Sequence, residues 1–140
     1  MLAKTEIEGQ PGIFHLDEDV AFATPFGQFT VPYGFVWDLA SKPKIVSFLG
    51  FKQKDSRTLK ASLLHDFIYY FHQVPREKAD KIYYHLSLED GYPKLKAWVE
   101  YKAIRLFAGS HWKNDEEDVK LMEKLLALWN LRPDRAKLNI

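Results

Sequence analysis

The chain has 140 residues, of which 46% are hydrophobic and 15% aromatic, enough for one domain with a packed core. Its 20 basic and 19 acidic residues nearly cancel, which argues against the one-signed field that nucleic-acid binding uses. Cysteine is absent, so neither a disulfide framework nor a thiolate metal site can form.

The first 45 residues are rich in β-branched and aromatic side chains. Short strands are expected over residues 13–16, 20–23, 28–31 and 35–37, punctuated by Pro11-Gly12, Pro25-Phe26-Gly27 and Pro32-Tyr33-Gly34, with Pro43 closing the region. The remainder has helical periodicity. Asp55 or Ser56 is placed to cap a helix reaching about His72, with Leu59, Leu63, Phe67 and Tyr70 on its apolar stripe. Pro75 suits the first turn of a second helix, in which Ala79, Ile82, Tyr83 and Leu86 share a face and Gly91 is the stop. Pro93 opens a third, whose core face is expected at Leu95, Trp98, Val99 and Leu106, ending near Gly109. Asn114 caps a fourth, with Asp115, Glu116 and Glu117 in the dipole-favoured first turn and Val119, Met122, Leu125, Leu126 and Trp129 facing the core. The expected architecture is α+β: a β-rich segment (1–45) packed on a bundle of about four helices (55–130), then a loose polar tail (131–140), all in one domain. No run approaches the roughly 20 apolar residues that span a bilayer, and residues 1–10 lack the apolar core of a signal peptide.

The chemistry-bearing stretch is Leu64-His65-Asp66-Phe67-Ile68-Tyr69, followed by Ala79-Asp80. An ionisable pair within an apolar helix is costly to bury unless it is satisfied. His65 and Tyr69 are four apart and share a helix face, and His72 falls on it too. The short break at Val74-Pro75 makes the next helix an antiparallel neighbour, so Asp80 can approach His65. A carboxylate that accepts one imidazole N–H fixes the tautomer and leaves the other nitrogen available as a base. The same residues also suit a buried His–Asp–Tyr network that pins two helices, and spacing does not separate the two. Asp66 points about 100° away around the helix, free to bind a cation or a loop backbone. Asp38, in Trp37-Asp38-Leu39-Ala40-Ser41, sits where a strand gives way to a loop, as a carboxylate ligand or a turn cap. Arg105 is placed to clamp a carboxylate such as Asp38 or Asp66. His15, His85 and His111 read as scattered surface or packing residues.

These elements together resemble a family of phage- and prophage-encoded chains classed as a domain of unknown function. The resemblance rests on Val31 to Pro43, Leu64 to Tyr69, Ala79-Asp80, and Tyr101, Arg105, Gly109 and Trp112. It implies a phage origin and partners among other phage structural proteins or a host protein. It also implies a location in the host cytoplasm during assembly, extending to the virion if the chain is packaged.

More distantly, His65-Asp66-x-x-Tyr69 followed by Asp80 is similar to the helix pair of secretory and parvoviral sn-2 phospholipases. That resemblance implies His65 as the base, Asp80 as its orienting group, Tyr69 as a partner of Asp80, and Asp66 as a calcium ligand, with membrane lipid as substrate. Here the glycine-rich calcium loop of those enzymes is replaced by Asp38-Leu39-Ala40-Ser41-Lys42-Pro43, in which Asp38 is the one replacement ligand on offer. The expectations are therefore a non-catalytic virion, tail or assembly component that keeps the helical core; a calcium-assisted ester hydrolase acting on the host envelope; or an intracellular effector that binds a host protein.

Overall fold

The computed structural model describes residues 4–9, 14–37, 56–112, 120, 123 and 124. Five short strands come first: β1 (Lys4–Glu6), β2 (Phe14–Leu16), β3 (Val20–Thr24), β4 (Gly27–Val31) and β5 (Val36–Trp37). They form two antiparallel sheets, one in the order β1-β2-β5 and one a β3-β4 hairpin. Strand β1 was not expected, because Lys4-Thr5-Glu6 has no apolar alternation. Its partner sets it, with Thr5 opposite His15 and Glu6 opposite Phe14.

Two of the expected turns are where the chain reverses; Pro11-Gly12 and Pro43 lie outside the described residues. At the β3-β4 hairpin, Gly27 takes φ +128, and the Thr24 hydroxyl donates to the Gly27 carbonyl at 2.8 Å. After β4, the Tyr33 N–H donates to Asp19 Oδ1 at 2.7 Å, and Gly34 donates to the Leu16 carbonyl at 3.0 Å. These bonds tie the hairpin to the three-stranded sheet.

Three α-helices follow: α1 (Leu59–Phe71), α2 (Arg76–Glu89) and α3 (Lys94–Phe107). A bundle of about four was expected; the described residues hold three. The fourth helix, with its core face and the tail after it, lies outside them except at Lys120, Glu123 and Lys124, which are helical and exposed. The helix α1 is entered through a 3-10 turn at Ser56–Thr58, and Thr58 stands at its N-cap without a side-chain cap bond, so Ser56 does not take the expected cap position; Asp55 lies outside the described residues. It stops one residue early, at Phe71, because His72 adopts a left-handed conformation (φ 51) and donates its N–H to the Ile68 carbonyl at 2.7 Å. Gly91 ends α2 as expected. At φ +86 it donates to the Leu88 carbonyl while Tyr92 donates to that of Ser87, the paired bonds of a Schellman turn.

One core joins sheets and helices. Leu16, Val31 and Phe35 meet Leu63, Leu64, Ile68 and Ile82, all fully buried. Phe35 sits edge-on to Phe67 at 5.2 Å between ring centres.

The face that α3 turns inward is not the expected one. Ala97, Glu100, Ala103 and Ile104 are buried, while Leu95, Trp98 and Leu106 are exposed by 74%, 49% and 75%. Small side chains on the inner face let α3 approach α2 closely, and the large apolar residues stand outward.

Candidate functional site

The expected site residues of α1 and α2 converge on one carboxylate. Leu64, Ile68 and Phe67 bury the apolar side of α1, which turns His65 and Tyr69 toward α2. The break at residues 72–75 brings α2 back antiparallel, and Asp80, one turn into it, is fully buried. Its Oδ1 accepts the Tyr69 hydroxyl at 2.6 Å and His65 Nε2 at 2.7 Å. Its Oδ2 accepts Arg105 Nη1 from α3 at 2.8 Å, with Arg76 Nε 3.9 Å away. Arg105 therefore clamps a carboxylate, that of Asp80; Asp38 lies outside the described residues.

Arg76 was not singled out from sequence, and it closes the network. Its Nε donates to the Tyr69 hydroxyl at 3.1 Å, and its Nη2 donates to the carbonyls of Ile104 at 2.8 Å and Arg105 at 3.1 Å. It thus satisfies the last carbonyls of α3, where a cation is favoured. The signal in the sequence is its spacing: Arg76 and Asp80 are four apart on one helix face. His72 donates Nε2–H to the Tyr69 carbonyl at 3.1 Å and stacks on Trp112 at 3.8 Å with the planes 6° apart. Trp112 also meets Tyr69 edge-on at 5.1 Å. His85 packs beside Phe26, as a packing residue does.

The electrostatics follow from these contacts. Burial pushes the Asp80 carboxyl up; hydrogen bonding and charge from His65, with hydrogen bonds from Tyr69 and Arg105, outweigh it and hold the group below its ordinary range. Asp80 is therefore ionised and can only accept, so His65 carries its proton on Nε2. Burial, then the neighbouring Asp80 carboxylate, push the Tyr69 hydroxyl up, and Arg76 only partly offsets this. Tyr69 thus stays a donor throughout the neutral range. The bond to Asp80 raises Arg105.

Chemically, His65 has one nitrogen committed and one uncommitted. Its Nδ1 has no hydrogen-bond partner among the described residues, and its side chain is 15% exposed. The ring lies 4.2 Å from that of Tyr69 and 5.5 Å from that of Tyr83.

The expected metal ligands do not come together within the described residues. Asp66 is partly buried and has an interaction of its own; Asp38 lies outside the described residues. Among the described residues no group of three or more His, Asp or Glu side chains is placed to hold a metal ion.

A second buried carboxylate, also unexpected, lies between α2 and α3, one turn along α2 from Asp80. Glu100 accepts the Tyr83 hydroxyl at 2.7 Å on Oε1 and the Tyr92 hydroxyl on Oε2. Burial and the Glu100 charge push the Tyr83 hydroxyl well up.

The model of a family described as "Protein of unknown function (DUF1353)" matches residues 14–104, well over half of the chain. The match spans His65, Tyr69, Arg76, Asp80 and Glu100 and stops one residue before Arg105. No curated protein and no solved structure matches the chain.

Proposed function

The chain belongs to the DUF1353 family of unknown function, and from that premise we propose that it is a non-catalytic, phage-associated component of the virion, the tail or their assembly, whose His–Asp core is a structural pin. The observation that carries this reading is the charge already gathered on Asp80. A carboxylate that supports a general base must stabilise the imidazolium formed when the base takes a proton. Here Oδ2 is already taken by Arg105 at 2.8 Å, with Arg76 3.9 Å away, so the carboxylate's charge is shared with two guanidinium groups and is not reserved for the imidazole. One buried carboxylate joins α1 through His65 and Tyr69, α2 through its own backbone, and α3 through Arg105.

The phage assignment is supported by the ordered motifs between Val31 and Trp112 and belongs to this proposal with the partners it implies, other phage structural proteins or a host protein. Among the described residues no helix is long and apolar enough to cross a membrane. The test is mass spectrometry of purified particles from a host carrying the gene, together with an ester-turnover assay on the purified chain. The chain in the particles or their assembly intermediates, with no turnover, is the expected result. Turnover lost in a folded His65→Gln variant would sink the reading.

The second reading, a calcium-assisted phospholipid hydrolase, is favoured by one observation, the uncommitted Nδ1 of the partly exposed His65. In it His65 takes a proton from water and Asp80 holds the tautomer; calcium, when bound, would polarise the ester carbonyl. Calorimetric titration with calcium, with Asp66→Asn as control, decides it: saturable binding lost in the variant supports the hydrolase, and no binding by a folded chain removes its metal.

A further inference from the structure

Asp80 and Tyr83 are three residues apart on α2, so both reach α1 at the same place. Asp80 holds His65 at Nε2, 2.7 Å away. Tyr83 meets the imidazole edge-on, with ring centres 5.5 Å apart and planes at 65°. Tyr69 packs on the same imidazole at 4.2 Å. Both phenols are fixed at their hydroxyls: Tyr69 donates to Asp80 at 2.6 Å, and Tyr83 donates to Glu100 at 2.7 Å. The imidazole is thus bounded by two tyrosines, each tied to its own buried carboxylate.

We propose that Tyr83 is a positioning residue for His65 and that Glu100 acts on the imidazole through it. The need for such a residue is intrinsic to histidine. Its χ2 torsion has broad wells, so one hydrogen bond at Nε2 leaves the ring free to swing about that bond. Packing against fixed neighbours settles the angle. Tyr83 can supply it because Tyr83 itself is held. It is buried, its hydroxyl donates to Glu100 Oε1, and that hydroxyl is also bonded to the side chain of Thr58 at the N-cap of α1. Glu100 is held in turn, because its second oxygen accepts the Tyr92 hydroxyl. Tyr92 is set by the turn at Gly91, through its N–H bond to the Ser87 carbonyl. A run of contacts therefore leads from that turn through Glu100 and Tyr83 to the imidazole.

The consequence falls on Nδ1. Asp80 commits Nε2 and so sets the tautomer, while Tyr83 sets the direction in which the Nδ1 lone pair points. An acceptor held in one direction is preorganised to take a proton from a water or hydroxyl placed before it. The inference rests on the reading in which Nδ1 is the working atom of the site.

Nitrogen NMR of the imidazole tests it, since the two ring nitrogens report which one carries the proton. At the alkaline plateau of its titration, wild-type His65 should favour the Nε2–H form at least about tenfold. Tyr83→Phe keeps the ring and removes its anchor; Glu100→Gln keeps the shape and weakens the same anchor. A ring released from Asp80 part of the time samples the other tautomer, so each variant should lower that ratio about threefold or more. Val31→Ala, in the sheet side of the core, lowers stability without touching the anchor and should leave the ratio unchanged. A folded Tyr83→Phe or Glu100→Gln chain with the wild-type ratio would overturn the proposal. So would an equal fall in Val31→Ala, which would reduce the role to stability, or a wild-type ring with no preferred tautomer. The measurement uses neither calcium nor ester, so it fails separately from the hydrolase. A positioned ring in a chain that binds no calcium keeps the geometry and removes the metal, and an unpositioned ring in a chain that binds calcium does the reverse.

Discussion

His65 and Tyr69, four residues apart on α1, donate to the same oxygen of Asp80, at 2.7 and 2.6 Å. Two donors on one carboxylate oxygen leave Oδ2 for Arg105, so the carboxylate is satisfied by three different side chains. His65→Gln keeps a donor of similar reach but loses the ring packed against Tyr69 and Tyr83. We expect a loss of about 1 to 3 kcal/mol in urea unfolding, with the helical circular dichroism unchanged. Stability equal to wild type would remove His65 from the pin.

Asp80→Asn should be the most damaging change at the site. The amide can accept on one atom only and turns a donor toward His65 or Arg105, which are donors themselves. Removing one partner of a buried ion pair costs about 3 to 5 kcal/mol; because Arg105 reaches solvent, the lower end is expected. A chemical-denaturation midpoint unchanged in Asp80→Asn would refute the hub.

The pH dependence has a definite sign. The Asp80 carboxyl is held below its ordinary 3.8 in the folded chain, so the unfolded chain binds its proton first as acid is added. Its stabilisation is present above that value and is lost as pH falls through the depressed native one. Tyr69 works at the opposite limit: its hydroxyl is raised above the ordinary 10.0, so its contribution is whole below that pH and is lost as pH rises beyond it. Unfolding midpoints measured across pH should fall at both limits, with the acid limb flatter in Asp80→Asn and the alkaline limb flatter in Tyr69→Phe. Acid limbs of equal slope would contradict the assignment to Asp80.

Much of this was legible before the structure. The four-residue spacing of His65 and Tyr69 and the break at Val74-Pro75 were enough to bring Asp80 to His65, because helix geometry and a short connection leave few alternatives. The strands of the β-rich segment were legible from their turns, and β1 was not, since its pairing with β2 comes from the partner and not from its own pattern. The α3 face was misjudged for a physical reason. Large apolar residues mark the core only when the facing helix leaves room for them, and here Ala97, Ala103 and a tyrosine-bonded Glu100 fill the close approach. Arg76 and Glu100 escaped notice because charged side chains on helices ordinarily face water; their partners lie on other elements.

Arg76 should not be replaceable by Lys. Its guanidinium reaches the Tyr69 hydroxyl from Nε while Nη2 reaches two carbonyls at the end of α3. An ammonium presents its donors from one atom and cannot span both targets. Arg76→Lys should cost about 1.5 to 3 kcal/mol, the range of hydrogen bonds to charged groups. Hydrogen exchange should localise the loss to the last turn of α3. The same midpoint in the lysine variant would show that charge alone suffices.

Glu100 offers a test at a second buried carboxylate. It is fully buried, and each of its oxygens accepts a phenol, Tyr83 on Oε1 and Tyr92 on Oε2. Tyr92 is delivered there by the Schellman turn at Gly91, so the carboxylate ties the end of α2 to the middle of α3. In Glu100→Gln one oxygen becomes an NH2, and the phenol facing it must turn round to accept, leaving its own O–H to find another acceptor inside the core. A cost of about 1 to 3 kcal/mol is expected for that orphaned donor. Glu100→Leu should cost more, because both phenols then lose their acceptor. Adding Tyr83→Phe and Tyr92→Phe to Glu100→Leu should recover part of the loss, since the stranded hydroxyls go with their partner. A triple variant no more stable than Glu100→Leu would show that the cost lies in repacking rather than in unsatisfied hydroxyls.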